Sequence, residues 1–185
     1  MLSTLSLSAA LLIQPSSHFD RRSALLGGAF ALTSPQATHA VDAAVPDTWT
    51  LSGGVKFPTL ALNTAGLSAE ASATAFRKAL AAGITHVDFH PGIERDGVAR
   101  ALKSLPRDAL FLTTKVRSPQ NNLALTPTDA ADLVKRQLEE DRKILGVEKV
   151  DMWMLRETPN CDVIQAQWRV LEDAQRAGVV GALEW

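Results

Sequence analysis

Tyrosine is absent from the 185 residues, and cysteine occurs once, at Cys161. Without tyrosine, no step that needs a phenolic acid can be run by this chain's own side chains. A single cysteine excludes an intrachain disulfide framework and any zinc site built on several cysteines. Neither sign of charge prevails: 19 Lys and Arg face 20 Asp and Glu, and the pI is about 6.4. That balance gives no electrostatic ground for binding nucleic acid or an anionic membrane. The apolar run Ala24–Leu32 has nine residues and is interrupted by Gly27 and Gly28. A membrane-spanning helix needs roughly 20. The whole chain is 46% hydrophobic and 21% charged, enough for a packed core and unlike a disordered chain.

The first forty residues form a region of their own. Met1–Ile13 is apolar and studded with Ser and Thr, and the first charge is Asp20. Arg21-Arg22 precede the apolar run, and Ala37-Thr38-His39-Ala40 follows it. A positive segment, an apolar segment and a small-residue end are the parts of a cleavable export signal. Paired arginines point to the twin-arginine route. With the hydroxylated, acid-poor stretch in front, the order resembles a two-part plastid precursor addressed to the thylakoid lumen. A secretory signal or another organelle lumen is the alternative destination, and a membrane anchor or a disordered terminus are the competing structural readings. The expected organisation is a leader over 1–40, a linker over 41–47 and one domain over 48–185.

From Thr48 onward, strand and helix signals alternate. TWTLSGGVKFPTL reads as a hairpin around Gly53-Gly54, and Thr59–Asn63 as a short strand. Ser68 is placed to cap a helix that Gly83 stops, with Glu70 in its first turn. His86–Phe89 predicts a strand, Gly97–Leu105 a short helix, and Ala109–Val116 an apolar, β-branched strand. Thr126-Pro127-Thr128-Asp129 opens a long helix ending at Gly146, with Leu133, Val134, Leu138, Ile144 and Leu145 as its buried stripe. Val150–Leu155 predicts a strand and Val163–Ala177 a helix facing inward through Ile164, Trp168 and Leu171. One more strand begins at Val179. Such alternation argues for a parallel sheet of βαβ units.

No Gly-x-Gly-x-x-Gly follows a strand, and no lysine-bearing phosphate loop is present, so a Rossmann fold has no direct support. The expectation is an α/β fold: part of a TIM (β/α)8-type barrel, comprising the N-terminal hairpin and about four and a half βα units. A complete barrel has eight units over about 250 residues, so the domain reads as truncated.

From Trp49 to Trp185 the chain resembles the aldo-keto reductases. The phrases that carry the likeness are LSGGVKFPTL, Asn63-Thr64 after the first strand, and RKALAAGITHVD over Arg77–Asp88. Thr113-Thr114-Lys115-Val116, Leu145-Gly146 running into VDMWML, and Trp168 with Leu171 and Glu172 complete the series. The resemblance implies a barrel that binds NADP and reduces small carbonyl substrates. In the family a tyrosine donates the proton, a lysine paired with an aspartate makes it acidic, and a histidine orients the carbonyl.

Matched one by one, Asp88 stands at the family aspartate and Lys115 at the family lysine. Ile93 stands where the tyrosine belongs and Arg156 where the histidine belongs. Thr64 and Asp88 are the transferable cofactor contacts. The resemblance thus implies an NADP-dependent oxidoreductase domain with weak or no standard carbonyl reduction. The alternatives are a non-catalytic lumenal subunit that binds a partner or a second copy through an open barrel edge, and an incomplete chain of a longer protein. Plainer readings exist for each residue: an inherited Asp88–Lys115 ion pair without turnover, and Arg156 paired with Glu157 or Asp88. His86 then packs within a strand, His90 points away from the site, Trp153 and Trp168 belong to the core, and Cys161 is a free thiol in a loop.

Overall fold

Five parallel strands lie side by side in the order in which the chain makes them. The computed structural model describes residues 47–117, 125–156 and 160–185. The expected leader, nearly all of the linker, and Glu157 lie outside them. A small antiparallel hairpin comes first, β1 (Thr48–Thr50) and β2 (Lys56–Pro58), pairing Trp49 with Phe57. Then follow β3 (Ala61–Asn63), α1 (Ala69–Ala81), β4 (His86–Asp88), α2 (Ile93–Leu102), β5 (Phe111–Lys115), α3 (Pro127–Leu145), β6 (Val150–Met154), α4 (Cys161–Arg176) and β7 (Val180–Glu184). The sheet order is β3-β4-β5-β6-β7, all parallel and open at both ends. This is the partial barrel expected from the alternation, with the hairpin and four helices between five strands. Among the described residues, no helix is long and apolar enough to cross a membrane.

Strand alternation divides the side chains between two faces. The outer face carries Val87, Leu112 and Trp153 against Phe76, Val134 and Leu171 of the helices, and this is the main core. The inner face carries Phe111, Met152 and Ala182, which Leu51, Val55 and Phe57 of the hairpin region cover. The hairpin therefore plugs the inner face at the strand starts and leaves the strand ends free for a site.

Local signals explain most boundaries. Ser68 Oγ accepts from Ala71 N at 3.2 Å, and Thr126 Oγ1 accepts from Asp129 N at 3.1 Å, each closing a helix start as expected. Helix α2 differs: it begins at Ile93, not Gly97. Its N-cap is Gly92, at φ 102°, which has no side chain to signal a start. Gly97 is instead a packing residue inside α2. A methyl group there would meet the Ala69 backbone and lie 2.7 Å from Ser72 Cβ, so α1 and α2 touch through it.

The buried stripe of α3 also differs from expectation. Val134, Leu138 and Leu145 are buried as predicted, but Leu133 is 45% exposed and Ile144 40% exposed. Gln137 and Asp141 take their places inside. Cys161 is not in a loop: it is the first residue of α4, and it is exposed. Trp153 is fully buried, whereas Trp168 is half-buried and donates from Nε1 to Glu172 Oε1 at 2.9 Å.

Candidate functional site

The C-terminal ends of β3, β4 and β5 bring Asn63, Asp88 and Lys115 together. Asn63 is in register with Asp88, and Asp88 with Thr113, two residues before Lys115 on the same strand face. Lys115 Nζ donates to Asp88 Oδ1 in an ion pair. Asn63 Nδ2 donates to the other oxygen, Oδ2, at 3.0 Å, and Asn63 Oδ1 accepts from Ala65 N at 2.7 Å. The Lys115 and Asp88 side chains are 13% and 19% exposed. The pair is thus held on the protein side yet still open to the mouth, where a polar ligand can reach it.

Thr64 follows Asn63 but turns away from that mouth. It is fully buried. Its one hydroxyl hydrogen is shared between Asp88 O at 3.3 Å and Glu94 Oε2 at 3.2 Å, and its N–H donates to Asp88 O at 3.0 Å.

Glu94, in the first turn of α2, was not singled out from the sequence and is the busiest acceptor of the region. It takes hydrogen bonds from Gly66 N at 2.8 Å, His90 N at 2.9 Å and His90 Nδ1 at 3.0 Å. Burial pushes its carboxyl pKa up, but these donors favour the ionised form and hold it below the usual range. One carboxylate therefore ties the loop after β3 to the loop after β4. The only local hint of this was an acidic residue just after Gly92. His90 is accordingly turned toward Glu94.

Neither Ile93 nor Arg156 joins the ion pair among the described residues. Ile93 is the first residue of α2 and 66% exposed, with no ionisable group to offer. Arg156 is exposed, and among the described residues no ion pair joins it to Asp88. His86 lies deeper on the inner face, on the same strand face as Asp88, and is buried. Its Nδ1 faces Pro58 O at 3.1 Å. A carbonyl only accepts, so the neutral ring carries its proton on Nδ1, and Nε2 accepts from Thr113 Oγ1 at 2.8 Å. Burial lowers the His86 pKa, with the Pro58 carbonyl working partly against it. The plainer reading of His86 as a strand-packing residue fits: Phe57 and Phe111 pack edge-on to its ring, with centroids 5.1 and 4.9 Å away.

Chemically, the arrangement fixes an ammonium against a carboxylate at the open end of a parallel sheet, with an amide at its side. It is an electrostatic handle for a polar group, and it has no phenol beside it. Among the described residues, no cluster of His, Cys, Asp and Glu could hold a metal ion.

Residues 51–183 match the family model of the aldo/keto reductase family. The chain therefore belongs to the aldo/keto reductases. An aldo/keto reductase from Brucella melitensis matches with a TM-score of 0.63 and 25% identity, over 74% of this chain and 52% of that one. An aldo-keto reductase from Bombyx mori, solved in complex with NADP, matches with a TM-score of 0.60 and 23% identity, over 74% of this chain and 48% of that one. The chain spans about half the length of these solved relatives. No curated protein sequence matches it.

Proposed function

We propose that this chain is an NADP-dependent oxidoreductase domain of the aldo-keto reductase type in which standard carbonyl reduction is weak or lost. One observation carries the reading: Asp88 and Lys115 form their ion pair at the strand ends, while the tyrosine and histidine positions hold Ile93 and Arg156. Carbonyl reduction develops negative charge on oxygen, and a positioned acid must meet it. Here Lys115 keeps a positive charge in place, and no side chain at position 93 can deliver the proton. Small carbonyl compounds remain the substrate class for any residual activity.

The fit to NADP is partial. Asp88 is exposed enough to receive a hydroxyl or amide of the cofactor, and Asn63 beside it offers further amide contacts. Thr64, the other expected contact, is buried with its hydroxyl already engaged, so it would have to leave Glu94 to serve. When bound, the cofactor supplies the hydride; the chain's own part is to hold a polar group beside Asp88 and Lys115.

The test is a titration of NADPH fluorescence with the full chain, together with an NADPH-oxidation assay over a panel of aldehydes. Binding without turnover is the expected outcome. Turnover well above buffer that Lys115→Met abolishes would overturn the loss of reduction.

A second reading, a non-catalytic binding or assembly subunit, is favoured by the surface beside β7. There a cavity of about 450 Å³ is lined by Leu155, Ile164, Trp168 and Trp185, and Trp185 is 80% exposed. A second copy or another protein on this open sheet edge would make the full chain sediment above monomer mass. For delivery, we propose a cleaved leader over 1–40 that directs the chain to the thylakoid lumen. The intact mass of the protein from its own cells checks the cleavage, and fractionation checks the compartment.

A further inference from the structure

The geometry points to Gln137 as the residue that positions Lys115, with Asp141 and Arg95 fixing its orientation. This rests on the reading of Asp88 and Lys115 as the working pair.

Lys115 ends β5 at a place where the sheet has run out on one side. Strand β4 stops at Asp88, opposite Thr113, and its last link to β5 is Phe89 N to Thr113 O at 3.1 Å. On the other side β6 still holds the chain, through Val116 N to Met154 O at 2.9 Å. Alternate residues of a strand point their backbone groups to alternate sides, so residues 115 and 117 face the side that β4 has vacated. Gln137 fills that side from α3. Its Nε2 donates to Lys115 O at 2.9 Å and its Oε1 accepts from Arg117 N at 2.8 Å. One carboxamide thus makes the two bonds that the N–H and C=O of a single residue in a neighbouring parallel strand would make, and it extends the order of β5 past the residue whose ammonium meets Asp88.

An amide can turn over, and here the second Nε2 hydrogen prevents it. That hydrogen goes to Asp141 Oδ2 at 3.0 Å. Turned over, Gln137 would set its oxygen against two acceptors, the Asp141 carboxylate and the Lys115 carbonyl. Asp141 is fully buried, and its charge is met by Arg95 Nη1 of α2 at 2.6 Å. Arg95, itself buried, also donates to Glu140 at 2.8 Å and to Asp96 at 2.9 and 3.0 Å. Glu140 in turn accepts from Arg117 Nη2 at 2.9 Å, and the hydrogen bonds from Arg117 and Arg95 lower its pKa. Burial works against the charge on Arg95, yet its three carboxylate partners raise its pKa. Apolar residues at 95, 137 and 141 together would fill the same seam without the desolvation cost of buried charge. What the polar set adds is a fixed exit for Lys115.

The experiment follows the side-chain NMR signal of Lys115 in the full chain with labelled lysines, assigned by its disappearance in Lys115→Arg. Asp88→Asn marks where that signal lies when the carboxylate partner is gone. Gln137→Met keeps length and volume but removes the amide bonds. It is expected to move the Lys115 signal by at least half the Asp88→Asn displacement while the amide spectrum stays that of a folded chain. A purely structural role would lower stability and leave the signal in place, and that result overturns the proposal while leaving the ion pair standing. If Asp88→Asn itself fails to move the signal, the pair is not formed, and both readings fall. Should Gln137→Met not fold, Asp141→Asn removes the lock on the amide and is read in the same way: displacement supports the proposal, and none overturns it.

Discussion

His86 and Thr113 share a hydrogen bond of 2.8 Å across the inner face of two adjacent strands, with the imidazole as acceptor. Protonating Nε2 would turn that acceptor into a donor inside a buried, aromatic-lined space. The folded His86 pKa is depressed below its ordinary 6.5, so the unfolded chain binds this proton more readily. His86 therefore contributes stability that is fully present above pH 6.5 and lost as pH falls through the depressed folded value. Chemical denaturation at pH 7.5 and 5.5 should show a weaker fold at the lower pH. In His86→Gln that difference should shrink. The same variant is expected to cost about 1–3 kcal/mol at pH 7.5 through the lost ring contacts and hydrogen bond.

Glu94 predicts a separate, more acidic window. Its folded pKa lies below the ordinary 4.5, so its contribution is present above that pH and fades as pH falls through the folded value. Glu94→Gln keeps the size but cannot serve all four donors as an ionised group does. Acid unfolding monitored by circular dichroism below pH 4.5 should be less steep in the variant, and its stability at pH 7 lower by about 1–3 kcal/mol.

Arg95→Ala tests the buried charge between α2 and α3. Asp141 would stay fully buried with its main cation gone, and losing one partner of a buried pair costs about 3–5 kcal/mol. Lys135→Ala, which removes an exposed partner of Asp132 on the same α3, should change stability by less than about 1 kcal/mol. Denaturant midpoints of the two variants should differ accordingly.

Gly97→Ala tests the contact between α1 and α2. The added methyl has no room beside Ala69 and Ser72, and overpacking costs about 1–3 kcal/mol. An exposed helix glycine replaced by alanine would gain stability instead, so the sign of the change in thermal midpoint decides.

Trp153 combines a fully buried ring with an Nε1–H that has no partner among the described residues. Trp153→Phe loses area but also removes the unpaired donor, so the two effects offset to within about 1 kcal/mol. Trp153→Ala should cost about 3–5 kcal/mol. Equal costs for the two variants would contradict this account.

Which parts of this were legible in the sequence follows from the range of the forces involved. Ser68 and Thr126 could be read as caps because each bonds three residues along its own chain. Asp88 and Lys115 could be read because each sits inside a family phrase. The start of α2 was hidden, since Gly92 caps by backbone angle alone. The α3 stripe was misread at Leu133 and Ile144 because hydrophobic spacing ignores partners. Asp141 is inside because Arg95 arrives from 46 residues away, and Gln137 because the backbone of Lys115 and Arg117, 22 and 20 residues back, takes up its amide. Glu94 escaped notice for the same reason: its donors at Gly66 and Thr64 are 28 and 30 residues distant.

The order of the sheet bears on how the chain is made. Paired strands lie 25, 25, 39 and 30 residues apart along the chain, and each pairs with the one synthesised just before it. No strand from β4 onward has to wait for a later segment before it can find a neighbour. On the ribosome, where the N-terminal part emerges first, every strand–helix unit can add to a template already in place. Growth by addition at one edge keeps loop closure short at each step, and it leaves β7 as the surface on which the next strand of any continuing chain would form.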